Sequence, residues 1–273
     1  MTTAQPTTGQ QVTGQPTTGQ PVTGQPVTGQ PTTGQQVTTL PGGSLAGRTA
    51  VVTGTAHGIG AAIAAALQAQ GASVHGVDKQ QADLTQADQV REFFAAAGEV
   101  DILVNNAGGV CGQVGHPLEE VPDQDWYDVV NANLTSAFLC TRAVVTGMKQ
   151  RRWGRIVNIS SAAGLTVSKT GIQAYASAKA GQFGLTRQMA HELGPYGITV
   201  NCICPGFILS NPTTEKQWAS YGEDGQRKLV AGIALGRLGQ PEDIANGVQF
   251  FVSDRSGWVT GQIIAIDGGS AFQ

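Results

Sequence analysis

From Leu45 to the C-terminus, short β-branched runs alternate with stretches whose apolar residues recur every four positions, and this alternation constrains the fold more than any other feature. The runs are Thr49 to Thr53, Ser73 to Val77, Asp101 to Asn105, Arg155 to Ser160, Ile198 to Ile203 and Gln262 to Ile266. They are mostly apolar throughout, as strands covered on both faces must be. Ile59, Ile63 and Leu67 mark one helical face, and Val130, Leu134 and Phe138 a second. A third helix carries Tyr175 through Leu193 and stops at Gly194-Pro195, where proline cannot continue the ladder. Asn211 to Gly232 reads as a helical excursion placed like a lid, and PEDIANGVQFFVSD restarts a helix with proline in its first turn. The pattern predicts an α/β fold, a parallel sheet with helices on both faces.

Residues 1 to 44 follow another rule. They repeat PTTGQ, QVTGQ and PVTGQ, with no charge before Arg48 and almost no large apolar side chain. Such a segment cannot bury enough surface to offset its chain entropy. Its period is far shorter than those that build solenoids, and it lacks glycine at every third position, so 1–44 is expected to be a disordered polar tether and 45–273 a single domain. A chain of 273 residues holds a core large enough to need no staples.

The N-terminus lacks the basic start and apolar stretch of a secretory signal, and no apolar run approaches the ~20 residues of a membrane span. A cytoplasmic protein without a membrane partner is expected. A net charge of −3 provides no basic stripe, which argues against nucleic acid. The four cysteines, Cys111, Cys140, Cys202 and Cys204, have no CxxC spacing and read as buried free thiols rather than metal ligands or disulfides.

The string TGTAHGIG, Thr53 to Gly60, sits where the first strand gives way to the first helix, so backbone N–H groups there can face a pyrophosphate. Among 38 glycines a spaced triplet arises about once by chance; the strand-turn-helix context carries the signal. Gly54, His57, Gly58, Ile59 and Gly60 are therefore candidate cofactor residues. Asp78 ends the next strand, where a carboxylate can accept from both hydroxyls of an adenosine ribose and repel a 2′-phosphate, favouring NAD over NADP. Lys79 and His57 act against that repulsion. Tyr175 and Lys179 lie four apart on one helix face, and a nearby ammonium lowers a phenol's pKa toward a usable acid/base range. Ser161 could be delivered beside Tyr175; Ser160 is its competitor, since strand alternation points the two apart.

TGTAHGIG, NNAG at Asn105 to Gly108, Asn133 in NANLTSAF, ISSAAG, YASAK and PGFILS follow in an order that resembles the classical short-chain dehydrogenase/reductase family, from Leu45 onward. The resemblance implies a single Rossmann-type doubly wound domain assembling as a homotetramer. It implies that Tyr175 is the general acid/base, that Lys179 holds the nicotinamide ribose and lowers the tyrosine pKa, that Ser161 orients the substrate oxygen, and that Asn133 holds a water in a proton relay. Asn106, Ala107 and Gly108 would run along the adenosine-ribose side of the cofactor, Pro205, Gly206, Ile208 and Ser210 would flank the nicotinamide, and Asp83 and Leu84 would lie near the adenine. One departure stands out. Only Lys79 to Ala82 separate Asp78 from Asp83, where family members place a helix before the third strand. A parallel crossover needs about a dozen residues or more, so a short or irregular third strand is expected.

The expected activity is an NAD(H)-dependent oxidoreductase acting on a secondary alcohol or ketone. Gly109 to His116, Leu165 to Gln173 and Phe207 to Tyr221 should line the substrate pocket, mixing polar groups such as Gln113 and Gln173 with aromatic ones such as Trp218, so a polyol, sugar or hydroxy acid is as compatible as a hydrophobic alcohol. The alternatives are an NADPH-dependent 3-oxoacyl-thioester reductase, against which Asp78 argues, and a catalytically silent nicotinamide-binding sensor or scaffold.

Overall fold

The computed structural model describes residues 45–271, so the expectations for the repeat at 1–44 lie outside the described residues. Six strands, β1 (Thr49–Thr53), β2 (Ser73–Val77), β3 (Ile102–Asn105), β4 (Gly154–Ile159), β5 (Ile198–Pro205) and β6 (Ile263–Ile266), form one sheet in the order β2-β1-β3-β4-β5-β6. Every neighbouring pair is parallel.

The sheet is wound on both faces, and strand periodicity explains how. Ala50, Val52, Ile102 and Val104 point into one core with Ile63 and Leu67 of α1 (Gly58–Ala69) and Ile244, Val248 and Phe251 of α9 (Pro241–Val252). Val51 and Leu103 point the other way. They meet Val90 and Phe94 of α2 (Ala87–Ala97), Val144 and Met148 of α4 (Ser136–Arg151) and Leu193 of α6 (Gln173–Leu193). Each such fully buried side chain stabilises the fold by roughly 1.5–3 kcal/mol. The helical excursion resolves into α7 (Pro212–Ser220) and α8 (Gly222–Ala231), and α6 ends where Gly194-Pro195 begins a short 3₁₀ turn.

Four expectations need correction. No strand forms between Asp78 and α2 among the described residues: the chain turns back on itself through Gln81 and Ala82 N–H bonds to the Asp78 carbonyl, and Ala82 and Leu84 go directly into the core. β2 is therefore the sheet edge, with Ser73, His75 and Gly76 exposed, and is not covered on both faces. The second helical face is also not a single one. α3 (Asp123–Val130) ends at Val130, a π-helical turn over Asn131–Thr135 intervenes before α4, and Phe138 is exposed while Ala137, Cys140 and Val144 are buried. A π turn takes more residues than an α turn, so the four-residue spacing runs across a phase break. Among the cysteines, Cys111 is exposed on a loop; the other three are buried free thiols.

Candidate active site

The sheet order reverses at β1, which lies between β2 and β3, and the loops leaving the carboxyl ends of these strands converge there, as at other topological switch points. Gly54 adopts φ 74° and Gly58 φ 60°, conformations favourable only to glycine. A Cβ on Gly60 would collide with the Gly54 carbonyl, and one on Gly58 with the Ser210 carbonyl, so the turn is tightly closed and Ser210 sits directly against it. The Asn106 amide braces the turn by donating to Thr53 O (2.9 Å) and Gly54 O (3.0 Å). Asn106 and Ala107 N–H groups both donate to Thr53 Oγ1, at 2.9 and 2.8 Å. Asn106 and Ala107 thus hold the glycine turn with these groups rather than presenting them outward. α1 begins at Gly58 with no side-chain cap from His57, leaving first-turn N–H groups without a cap where a pyrophosphate would lie.

Asp78 stands at the end of β2. Its Oδ2 accepts from Thr55 N–H at 2.9 Å and Thr55 Oγ1 at 3.0 Å. Gly76 makes this possible, because a Cβ there would collide with the Thr55 hydroxyl. One carboxylate oxygen is therefore fixed and the other is available. Thr55 escaped the sequence reading because its role depends on a neighbouring strand. The glycine turn and the half-free carboxylate fit a nicotinamide dinucleotide. At the adenine end, Asp83 Oδ1 accepts from Thr85 N–H and Oγ1 at 3.0 and 2.7 Å, which lowers the carboxyl pKa, and the Leu84 side chain is in the core. Of this pair only the other Asp83 oxygen and the Leu84 main chain could face a ligand.

Ser160 and Ser161 separate cleanly. Ser160 is buried and donates to the Lys179 carbonyl at 2.8 Å, whereas Ser161 opens the short helix α5 (Ala162–Leu165), its Oγ accepting from Ala163 N–H at 3.2 Å, and lies near enough to Tyr175 to act on its phenol. Lys179 is buried at 3 % exposure, its Nζ donating to the Ile159 carbonyl at 2.9 Å and lying 5.5 Å from the Tyr175 ring. Burial lowers the Lys179 pKa to about 8. Burial also raises the Tyr175 pKa, with nearby Ser161 pulling it down. The expected lowering is thus corrected for the free protein: desolvation of the phenolate outweighs the help from Ser161, and the Lys179 ammonium is not among the causes acting on it.

Asn133, in the π turn, is fully buried, and its side chain is committed to Gly109 N–H and O and to Val129 O. Its main-chain carbonyl accepts from Gln182 Nε2 at 3.0 Å. The loop after β3 and the loop before α6 are latched by Gln113, which donates to Gly171 O (3.1 Å) and Gln173 Oε1 (2.8 Å), while Gln173 donates to His116 O (2.8 Å). Phe207 lies 6.0 Å from both Trp218 and Tyr221, joining α7 to the PGFILS loop. Within that loop, Ile208 is buried, Pro205 belongs to β5, and Gly206 lies against Asp267, where it has no room for a Cβ. His57 and Lys169 are exposed.

A family model described as enoyl-(acyl carrier protein) reductase matches residues 78–271. The 3-oxoacyl-(acyl-carrier-protein) reductase FabG of Escherichia coli (strain K12) is 36 % identical over 245 residues, covering 82 % of this chain and 97 % of its own. FabG of Pseudomonas aeruginosa is 40 % identical over 252 residues, covering 83 % and 98 %. A crystal structure described as a candidate gluconate dehydrogenase from Agrobacterium tumefaciens superposes with a TM-score of 0.76 at 33 % identity, covering 83 % of this chain and 96 % of that one.

Proposed function

The chain belongs to the classical short-chain dehydrogenase/reductase family and is an oxidoreductase using a nicotinamide cofactor; from this premise we propose that it is an NAD(H)-dependent enzyme interconverting a secondary alcohol and its ketone. The observation that carries the reading is the convergence of Ser161 and Lys179 on Tyr175. Nicotinamide supplies hydride transfer when bound. Tyr175 takes the hydroxyl proton in oxidation and returns it in reduction, Ser161 hydrogen-bonds the reacting oxygen, and Lys179 favours the phenolate by its charge. Asn133 acts through its backbone carbonyl, its side chain being committed.

Asp78 supports NAD over NADP: with one oxygen held by Thr55, the other can accept from ribose hydroxyls and would repel a 2′-phosphate. The polar latch of Gln113 and Gln173 beside aromatic Phe207 and Trp218 supports a hydroxylated substrate, and the similarity to a candidate gluconate dehydrogenase agrees with this. The similarity to FabG reductases favours a second reading, reduction of 3-oxoacyl thioesters. Exposed Leu118, Tyr127, Phe138, Phe250 and Trp258 support a homotetramer, and four unpaired cysteines support a cytoplasmic location. Among the described residues no helix is long and apolar enough to cross a membrane.

Nicotinamide absorbance assays with NAD and NADP, across polyols, sugars, hydroxy acids, simple secondary alcohols and 3-oxoacyl thioesters, test the proposal. NAD-linked turnover reduced at least ~100-fold by Tyr175→Phe is expected. NADPH-linked thioester reduction would replace the first reading with the second, and cofactor binding without turnover on any substrate would point to a sensor.

A further inference from the structure

On α6, Tyr175, Lys179 and Gln182 stand at i, i+4 and i+7, so all three lie on one face, and Thr186 continues the stripe. Lys179, Gln182 and Thr186 are buried, the last two at 0 % exposure. Thr186 is explained: it accepts from Asn158 Nδ2 at 2.9 Å. Gln182 is only half explained. Its Nε2 donates to the Asn133 carbonyl at 3.0 Å, but its buried Oε1 accepts nothing from the protein. A leucine would fill a buried helix face without the cost of an unpaired acceptor. One helical turn away, the Lys179 ammonium has three N–H bonds, and only the Ile159 carbonyl takes one.

We propose that Gln182 is a positioning residue for the Tyr175–Lys179 pair, its Oε1 accepting from the Lys179 ammonium through one ordered water while its Nε2 ties the ammonium's surroundings to Asn133. The site is polar on both sides, which a bridging water requires. The ionisable groups acting on Lys179 are the Cys202 and Cys204 thiols of β5, with Tyr175 on its own helix. α5 and the π turn carry no ionisable side chain; α3, packed on α6, carries Asp123, Asp125, Tyr127 and Asp128, none of which acts on Lys179. Gln182 thus provides the ammonium with an uncharged acceptor. Its role in catalysis rests on the proposed use of Tyr175, but its coupling to Lys179 does not.

The test is a double-mutant cycle in urea unfolding of the full chain without cofactor, with Gln182→Met, Lys179→Met and the double variant, at about pH 7 and about pH 10. Coupling of about tenfold in the unfolding equilibrium constant is expected near pH 7, where Lys179 is charged, falling to within about twofold near pH 10. No coupling near pH 7, or equal coupling at both values, would overturn the proposal. Should Gln182→Met not fold, Gln182→Glu substitutes: a carboxylate there should move the alkaline rise in stability upward by about one pH unit, and an unmoved rise overturns the idea. Turnover of Tyr175→Phe, measured in parallel, tests the catalytic reading separately.

Discussion

Replacing Lys179 with methionine should stabilise the free protein. The ammonium is buried, with its pKa lowered from 10.5 to about 8. Because the folded value lies below the unfolded one, the unfolded chain binds more protons between these limits. The charge therefore costs stability in full below about pH 8 and the cost is relieved as pH rises toward 10.5. A difference of about 2.5 units (10.5 minus about 8) corresponds to ~3 kcal/mol. Methionine fills the same space without the charge but leaves the Ile159 carbonyl unpartnered, a loss of about 1 kcal/mol. The net gain is about 2 kcal/mol near pH 7, or roughly 4–8 °C in Tm for a domain of this size. Near pH 10 it should shrink to about zero. Urea unfolding of both proteins at the two pH values, without cofactor, checks this. A Lys179→Met protein that is less stable near pH 7, or a difference that ignores pH, would refute the reasoning.

Asp78→Ala should weaken NAD by about 10- to 100-fold in kcat/KM, with NADP weakened less, as expected for losing charged hydrogen bonds; an unchanged cofactor ratio would mean the ribose is held elsewhere. Gly60→Ala forces a Cβ into the Gly54 carbonyl, so it should lose nicotinamide binding by calorimetry and about 1–3 kcal/mol of stability; normal binding would show that the turn does not hold the cofactor. Of the four cysteines, Cys111 alone should react with an aromatic disulfide reagent in native protein, and all four after denaturation. Deleting residues 1–44 should leave Tm and turnover close to those of the full chain, and a large loss of either would show that the repeat contributes to the domain.

Much of the fold was legible because burial on both faces leaves a direct mark: the apolar runs of β1, β3, β4 and β5 can satisfy neither face in water. β2 was found by position but misjudged in environment. Its exposure follows from what the next residues do not form, since four residues between Asp78 and Asp83 suffice for a turn but not for a crossover. The π turn left no trace either. Asn131 to Thr135 carry the same spacing of apolar residues that an uninterrupted helix would show, and only the exposed Phe138 reveals the phase shift.

The site was legible where chemistry is concentrated in one short string, as in the glycine turn and the Tyr175–Lys179 pair. It was not legible where a polar side chain serves another element across the fold. Thr55 matters because Gly76 makes room for it under Asp78, and Gln182 because its helix face meets the Asn133 carbonyl; Asn106 was named along the cofactor, but not as the brace that spans back to the glycine turn. Such residues carry no periodic signature, since each satisfies a partner distant in sequence. What marks Gln182 is cost: a buried amide oxygen with no partner in the protein, like a buried ammonium, is a burden that an apolar side chain at the same place would avoid. Both costs lie within two turns of Tyr175 on one helix face, so stability is given up along the stripe where proton transfer is proposed. The Lys179→Met measurement therefore bears on the whole stripe: a protein that gains stability there should lose turnover with it.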